Sequence, residues 1–179
     1  GGTSSGSAYT FVRDGTSWSQ QAKLVASDAG AQDYFGSSVS ISGSFVIVGA
    51  YAEEEGSGTL GRGSAYTFVR DGTSWSQENK LVASDAAKDD NFGYSVSISG
   101  DYALVGARFD DDGGTSSGSA YVFKIVYDQN AKLVAGDPAS ADNFGFSVSI
   151  SGDYALVGAQ YDDDGGSSSG SAYIFVRDG

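Results

Sequence analysis

A chain of 179 residues with 23 acidic and 10 basic side chains carries a formal charge of −13, so it lacks the basic surface that nucleic acid or an anionic membrane demands. It has no His and no Cys, which removes imidazole bases, thiol nucleophiles, disulfides and thiolate metal sites. No apolar run approaches the ~18 residues of a membrane helix, while 40% hydrophobic residues argue against wholesale disorder and 27 Gly beside one Pro suit many tight turns.

In chain order, four marks recur. Gly-Ser-Ala-Tyr begins at Gly6, Gly63, Gly118 and Gly170, at spacings of 57, 55 and 52 residues. Lys-Leu-Val-Ala begins at Lys23, Lys80 and at Lys132, Phe-Gly occurs at Phe35, Phe92 and Phe144, and Val-Gly-Ala ends at Ala50, Ala107 and Ala159. The chain opens with a third and a fourth strand, Gly-Ser-Ala-Tyr and then Lys-Leu-Val-Ala, joined at Asp14-Gly15 by a turn expected to be type I′. Asp71-Gly72 repeats that turn, whereas the third copy replaces it with a run three residues shorter that has no counterpart of Trp18 or Trp75. This marks the outer hairpin as the tolerant part of the unit.

The most regular stretch is Asn91–Ala107 with its near-copies Tyr34–Ala50 and Asn143–Ala159. Strict alternation predicts a first strand over Phe92–Ser99, with Phe92, Tyr94, Val96 and Ile98 on one face and Gly93, Ser95, Ser97 and Ser99 on the other. Gly100-Asp101 is a two-residue turn of type II′, as are Gly43-Ser44 and Gly152-Asp153. A second strand follows over Tyr102–Ala107, a polar loop over Arg108–Ser117, a third strand over Ser119–Phe123, and a fourth containing Lys132–Ala135.

Four short strands repeating every 52–57 residues predict an all-β chain of propeller-type blades, each a meander of four antiparallel strands. The blades divide as 1–34 (strands three and four), 35–91 and 92–143 (complete), and 144–179 (strands one to three). The large face of one sheet is expected to pack on the small face of the next unit's sheet; the alternative is a sandwich whose Ser face meets solvent. About three blades are too few for a comfortable ring, since closed propellers have roughly four to eight. The chain therefore reads as an excerpt of a longer propeller or array, as a homo-oligomer completing split blades across copies, or as a chain whose two similar ends compete for one place. It begins at Gly1 in mid-repeat, so any targeting segment would lie beyond it.

With Phe-Gly-x-Ser-Val opening strand one, Val-Gly-Ala closing strand two and Gly-Ser-Ala-Tyr-x-Phe in strand three, the unit resembles the FG-GAP repeat, the blade of integrin α-subunit propellers and of many bacterial secreted or surface proteins. The bacterial branch is the nearer likeness. The resemblance covers the whole chain and implies a β-propeller, extracellular or at the cell surface, used for adhesion or ligand binding. The calcium loop that integrin-type repeats carry between strands one and two has no room here, where only Gly100-Asp101 and its counterparts stand, so calcium does not carry over to those positions.

Calcium wants about six to eight oxygens, and the candidate ligands lie elsewhere: Asp110 with Asp112 in one loop after strand two, Asp162 with Asp164 in the next. The first copy has Glu53-Glu54-Glu55-Gly56 instead, and the competing reading of all three loops is a solvated acidic edge. The linker acids Asp28, Asp33, Asp85, Asp89, Asp90, Asp137 and Asp142 are expected mainly to cap turns, with a lesser part in a cation site. Trp18 and Trp75 are either a sugar-stacking platform or, the preferred reading, packing on the outer strands. The functions that follow are a non-enzymatic extracellular module for adhesion or surface-matrix interaction, with a protein or matrix ligand or other copies of the chain as partner; a structural subunit whose blades build an extracellular fibre; or a carbohydrate-binding propeller.

Overall fold

The computed structural model describes residues 3–54, 61–125 and 129–177. Among them are thirteen strands and no helix. β1 (Ala8–Asp14) and β2 (Ser17–Leu24) form a two-stranded sheet. β3 (Ser38–Ser42), β4 (Phe45–Ala50), β5 (Ser64–Asp71) and β6 (Ser74–Leu81) form the second sheet. β7 (Phe92–Ser99), β8 (Tyr102–Ala107), β9 (Ser119–Lys124) and β10 (Gln129–Leu133) form the third. The fourth holds β11 (Phe144–Ser151), β12 (Tyr154–Ala159) and β13 (Ser171–Val176). Every pairing joins sequence neighbours antiparallel, so each sheet is an open meander. No described helix is long and apolar enough to cross a membrane.

Most strand bounds follow the alternation, with three departures. The first-copy inner strand starts at Ser38, where its pairing with Gly49 begins, and Phe35 makes a parallel bridge to Gly6. The fourth strand of the third sheet ends at Leu133, short of Ala135. The outer hairpins do not turn at Asp14-Gly15 and Asp71-Gly72: Asp14 pairs with Ser17 and Asp71 with Ser74, so the loops are Gly15-Thr16 and Gly72-Thr73. Gly15 and Gly72 have φ of 57° and 59° while neither Thr is positive, the pattern of type II′ and not type I′. The third-copy turn and the Glu55-Gly56 part of the first acidic loop lie outside the described residues.

The sheets stack, and the stacking has a direction: each large face packs on the small face of the sheet before it, the reverse of the expected order. Phe92, Val96, Ile98, Val105 and Phe123 of the third sheet meet Ile47, Ala65 and Leu81 of the second in one core. Phe144, Ala155 and Val157 of the fourth meet Leu104 and Ala120 of the third in another. Tyr94 leaves the apolar face, because two residues bulge between Phe92 and Ser95. Its ring instead joins Tyr51 and Phe146 at 5.6 and 5.3 Å, with the Arg108 guanidinium 3.8 Å from its centroid.

The serines of the small face do more than leave space. Ser95 Oγ donates to Gly145 O at 2.7 Å, and Ser97 Oγ accepts from Ile150 N at 3.1 Å. One sheet earlier, Ser38 Oγ donates to Gly93 O at 2.9 Å and Ser40 Oγ accepts from Ile98 N at 3.1 Å. β7 and β11 are edge strands, so these hydroxyls satisfy backbone groups that an exposed edge leaves unpaired. So close an approach also dictates glycine: a Cβ on Gly106 would lie 2.0 Å from Gly145 O.

Candidate functional site

The meander puts the loops after strand two and the linkers before strand one at the same end of the stack. Phe109 N donates to Asp90 O and Tyr161 N to Asp142 O, tying each loop to the linker beside it. Buried Asp90 and Asp142 accept the backbone N–H groups of Ala87 and Ala139, at 2.6 and 2.8 Å, which closes the linker turns as expected of such acids. Desolvation holds Asp33 and Asp90 above the usual carboxylate range.

The loop acids meet partners that their spacing did not reveal. Asp110 and Asp112 converge with the linker residue Asp85, and the Lys132 ammonium sits among all three. Lys132 Nζ is 2.7 Å from Asp85 Oδ2 and 3.0 Å from Asp110 Oδ2 and also bonds Asp112. The Tyr121 hydroxyl lies 2.7 Å from Asp110 Oδ2 and 2.8 Å from Asp85 Oδ1, sharing its proton between them. Asp110 is buried, and its second oxygen accepts from Ser119 Oγ at 3.0 Å. Strand register creates this pocket, since Lys132 stands opposite Tyr121 and Ala107 opposite Ser119.

The second sheet repeats the pairing of lysine with carboxylates, without a hydrogen bond from the Tyr66 hydroxyl. Lys80 Nζ reaches Glu53 Oε1 at 2.7 Å and Asp28 Oδ2 at 2.8 Å, and Ser64 Oγ donates to Glu53 Oε2. Desolvation by itself would lower both lysine pKa values, but hydrogen bonds to the carboxylates outweigh it and raise them. Desolvation would likewise raise Asp28 and Asp85, yet the lysine hydrogen bonds hold both below the usual range.

The fourth sheet has the acids without an ammonium among the described residues. Asp162 and Asp164 gather with Asp137, ligand atoms within 4.8 Å of one another, and the Tyr173 hydroxyl lies 2.6 Å from Asp162 Oδ2 and 2.9 Å from Asp137 Oδ1. Hydrogen bonding to Asp137 and then repulsion from it hold Asp164 above the usual range. Asp162, hydrogen-bonded by Tyr173, stays below it. This group has the donor set of a metal site. At Asp110 and Asp112 a metal would have to displace Lys132.

All four expected ligands therefore lie in carboxylate pockets. The linker acids Asp28, Asp85 and Asp137, expected mainly to cap turns, join these pockets; the missed members are Tyr121 and Tyr173 from strand three, Tyr66 through its ring beneath Lys80, and Lys80 and Lys132 from strand four. Trp75 is committed to packing, its Nε1 donating to Gln21 Oε1 at 2.7 Å, whereas Trp18 is 66% exposed.

A family model described as FG-GAP repeat matches residues 18–68, 75–123 and 127–175. Each matched segment runs from strand four of one sheet to strand three of the next, so it spans one strand-four lysine, one stacking contact and one acidic loop. No curated protein matches the chain.

Proposed function

The chain belongs to the FG-GAP repeat family, and on that premise we propose that it is a non-enzymatic, extracellular binding module that engages a protein or matrix partner in adhesion. The observation that carries this reading is the charge of the loop end. Asp111, Asp112, Asp163 and Asp164 are exposed there, and acids outnumber the bases of that end, where Lys88 stands beside Asp89. A net negative field favours a basic surface and speeds its capture. In the second and third sheets the inner carboxylates are paired with Lys80 and Lys132, an arrangement of ion pairs and not of a poised general base. The test is attachment of cells, or of isolated matrix proteins, to a surface coated with the chain. Attachment is expected, and is expected to be lost in Asp111→Lys/Asp163→Lys; attachment indifferent to that reversal, or none at all, overturns the reading.

Calcium enters this reading at Asp137, Asp162 and Asp164, the group with no ammonium among its described neighbours. The carboxylates supply several of the oxygens that calcium takes. A melting temperature unmoved by millimolar calcium removes it. The fibre reading is favoured by one observation, the apolar residues left exposed on both outer faces of the stack, Val39 and Ile41 at one and Leu156 and Ile174 at the other.

A further inference from the structure

Two stretches of this chain, Asn91–Asp110 and Asn143–Asp162, coincide except at three positions: Tyr94 against Phe146, Arg108 against Gln160 and Phe109 against Tyr161. In the third sheet those three positions meet in one cluster. The Arg108 guanidinium lies 3.8 Å from the Tyr94 ring centroid, 4.2 Å from that of Phe109 and 5.8 Å from that of Phe146 in the next sheet. The scaffold of the unit repeats around the cluster, so these side chains vary where the fold does not dictate them. Sheets on both sides flank it: Tyr51, just after β4, reaches Tyr94 from the second sheet, and Phe146 reaches it from the fourth. Tyr34 stacks on Tyr51 at 5.4 Å, which extends the rings into a row of four. Tyr34 is exposed, and Tyr51, Tyr94, Arg108, Phe109 and Phe146 are half-buried.

Packing does not account for the charge of Arg108. Tyr51 holds the same place in the second sheet and reaches the sheet after it with an uncharged ring, so the contact between sheets needs no cation. Lys80 and Lys132 each sit among carboxylates. Arg108 does not: among the described residues no carboxylate or carbonyl accepts from its guanidinium. Its Nε is buried without a hydrogen-bond partner. Rings cover the flat of the guanidinium, so its two terminal nitrogens are the part that solvent reaches. A planar fork of this kind fits a carboxylate through two parallel hydrogen bonds, which a lysine ammonium cannot make.

We propose that Arg108 and the rings around it bind a carboxylated sugar, a uronate carried on an otherwise neutral glycan, with the carboxylate on the terminal nitrogens and the pyranose against the aromatic row. Three features favour this ligand over other anions. The backbone at the cluster is already paired, Tyr94 N to Asn91 O, Phe109 N to Asp90 O and Phe146 N to Asn143 O, so an extended peptide finds no main-chain groups there to pair with. The tyrosines of the row combine an apolar body with a polar tip, as a pyranose combines C–H faces with hydroxyls. Asp111 and Asp112 are exposed in the same loop as Arg108 and repel a polyanion, which leaves a ligand with a single acidic group. The inference goes beyond the adhesion reading and does not rest on it.

Titration of the nitrogen-15 chain with glucuronate, read by proton–nitrogen NMR, tests it. Saturable shifts are expected at Tyr94, Arg108, Phe109 and Phe146. Glucose, which lacks the carboxylate, and acetate, which lacks the ring, should each bind about tenfold more weakly, a loss within what a charge-assisted hydrogen bond supplies. Arg108→Gln installs the side chain that the fourth sheet carries at the same place, so the spectrum should stay that of the folded chain while glucuronate binding falls by about tenfold or more. Arg108→Lys keeps the charge without the fork and should lose most of the affinity as well. The proposal is overturned by the lack of any saturable shift, by shifts confined to other residues, or by glucuronate binding unchanged in both variants. It is equally overturned if acetate, or a neutral peptide bearing one glutamate, binds as tightly as glucuronate. Cell attachment is read separately, through Asp111→Lys/Asp163→Lys, so either idea can fail alone.

Discussion

At the scale of the residue, the central fact is an ammonium where a cation was expected. Lys132 arrives from β10 with its positive charge already attached, so the three carboxylates around it need no ion from solution. Removing it leaves Asp85, Asp110 and Asp112 facing one another, with Asp110 buried. Breaking a buried pair on one side costs more than the pair contributes, because the remaining charge stays desolvated. Lys132→Met should therefore lower stability by about 3 kcal/mol in denaturant titration, the lower part of the range for such losses. The same variant should gain what the parent pocket does not offer, a calcium-dependent rise in melting temperature, since the donor set then becomes that of the Asp137 group. If Lys132→Met is as stable as the parent, or if calcium protects both equally, the lysine is not the cation of this pocket.

At the scale of the element, the strands were legible because period-two alternation and glycine turns are local signals, and β7, β8, β11 and β12 fall where Phe92–Ser99, Tyr102–Ala107 and their copies predict. The Tyr94 bulge was not legible, since alternation carries no information about which residues a neighbouring sheet pushes out of register. The pockets were half legible. Asp110 and Asp112 announce themselves by clustering, but Lys132 is 22 residues from Asp110 and 47 from Asp85, and recurs in a run that reads as a strand marker. Small-face glycine had a visible pattern without a visible reason, and the stack supplies it: Gly106 meets the backbone of the next sheet, which cannot rotate away as a side chain can. Gly106→Ala should cost about 3 kcal/mol, at the upper end for overpacking, and should accelerate hydrogen exchange at Ile150, whose amide depends on Ser97 across the same contact. Alanine at Gly100, where an added Cβ meets nothing, is the control: strained by its φ of 55°, it should leave Ile150 protected.

At the scale of the whole molecule, four sheets stacked in one direction make the same sequence position mean different things along the chain. Val96 and Ile98 on β7 are 8% and 5% exposed because the second sheet covers them; their counterparts Val39 and Ile41 on β3 are 59% and 61% exposed because the sheet before β3 has only its two outer strands. Stability in such an array comes from intrinsic units plus nearest-neighbour contacts, so a substitution should be felt in proportion to the neighbour it touches, not to its place in the repeat. Ile98→Thr removes buried apolar surface and buries a hydroxyl, and should cost about 2–3 kcal/mol. Ile41→Thr, at the same repeat position, should cost under about 0.5 kcal/mol in dilute single chains, as exposed substitutions do. Urea titration of both variants in dilute chains, then at rising concentration, separates the two environments. Equal costs in the dilute single chain would mean that β3 is covered there and that the direction of stacking is wrong. A cost at Ile41 that grows with concentration would mark β3 as the surface another copy covers.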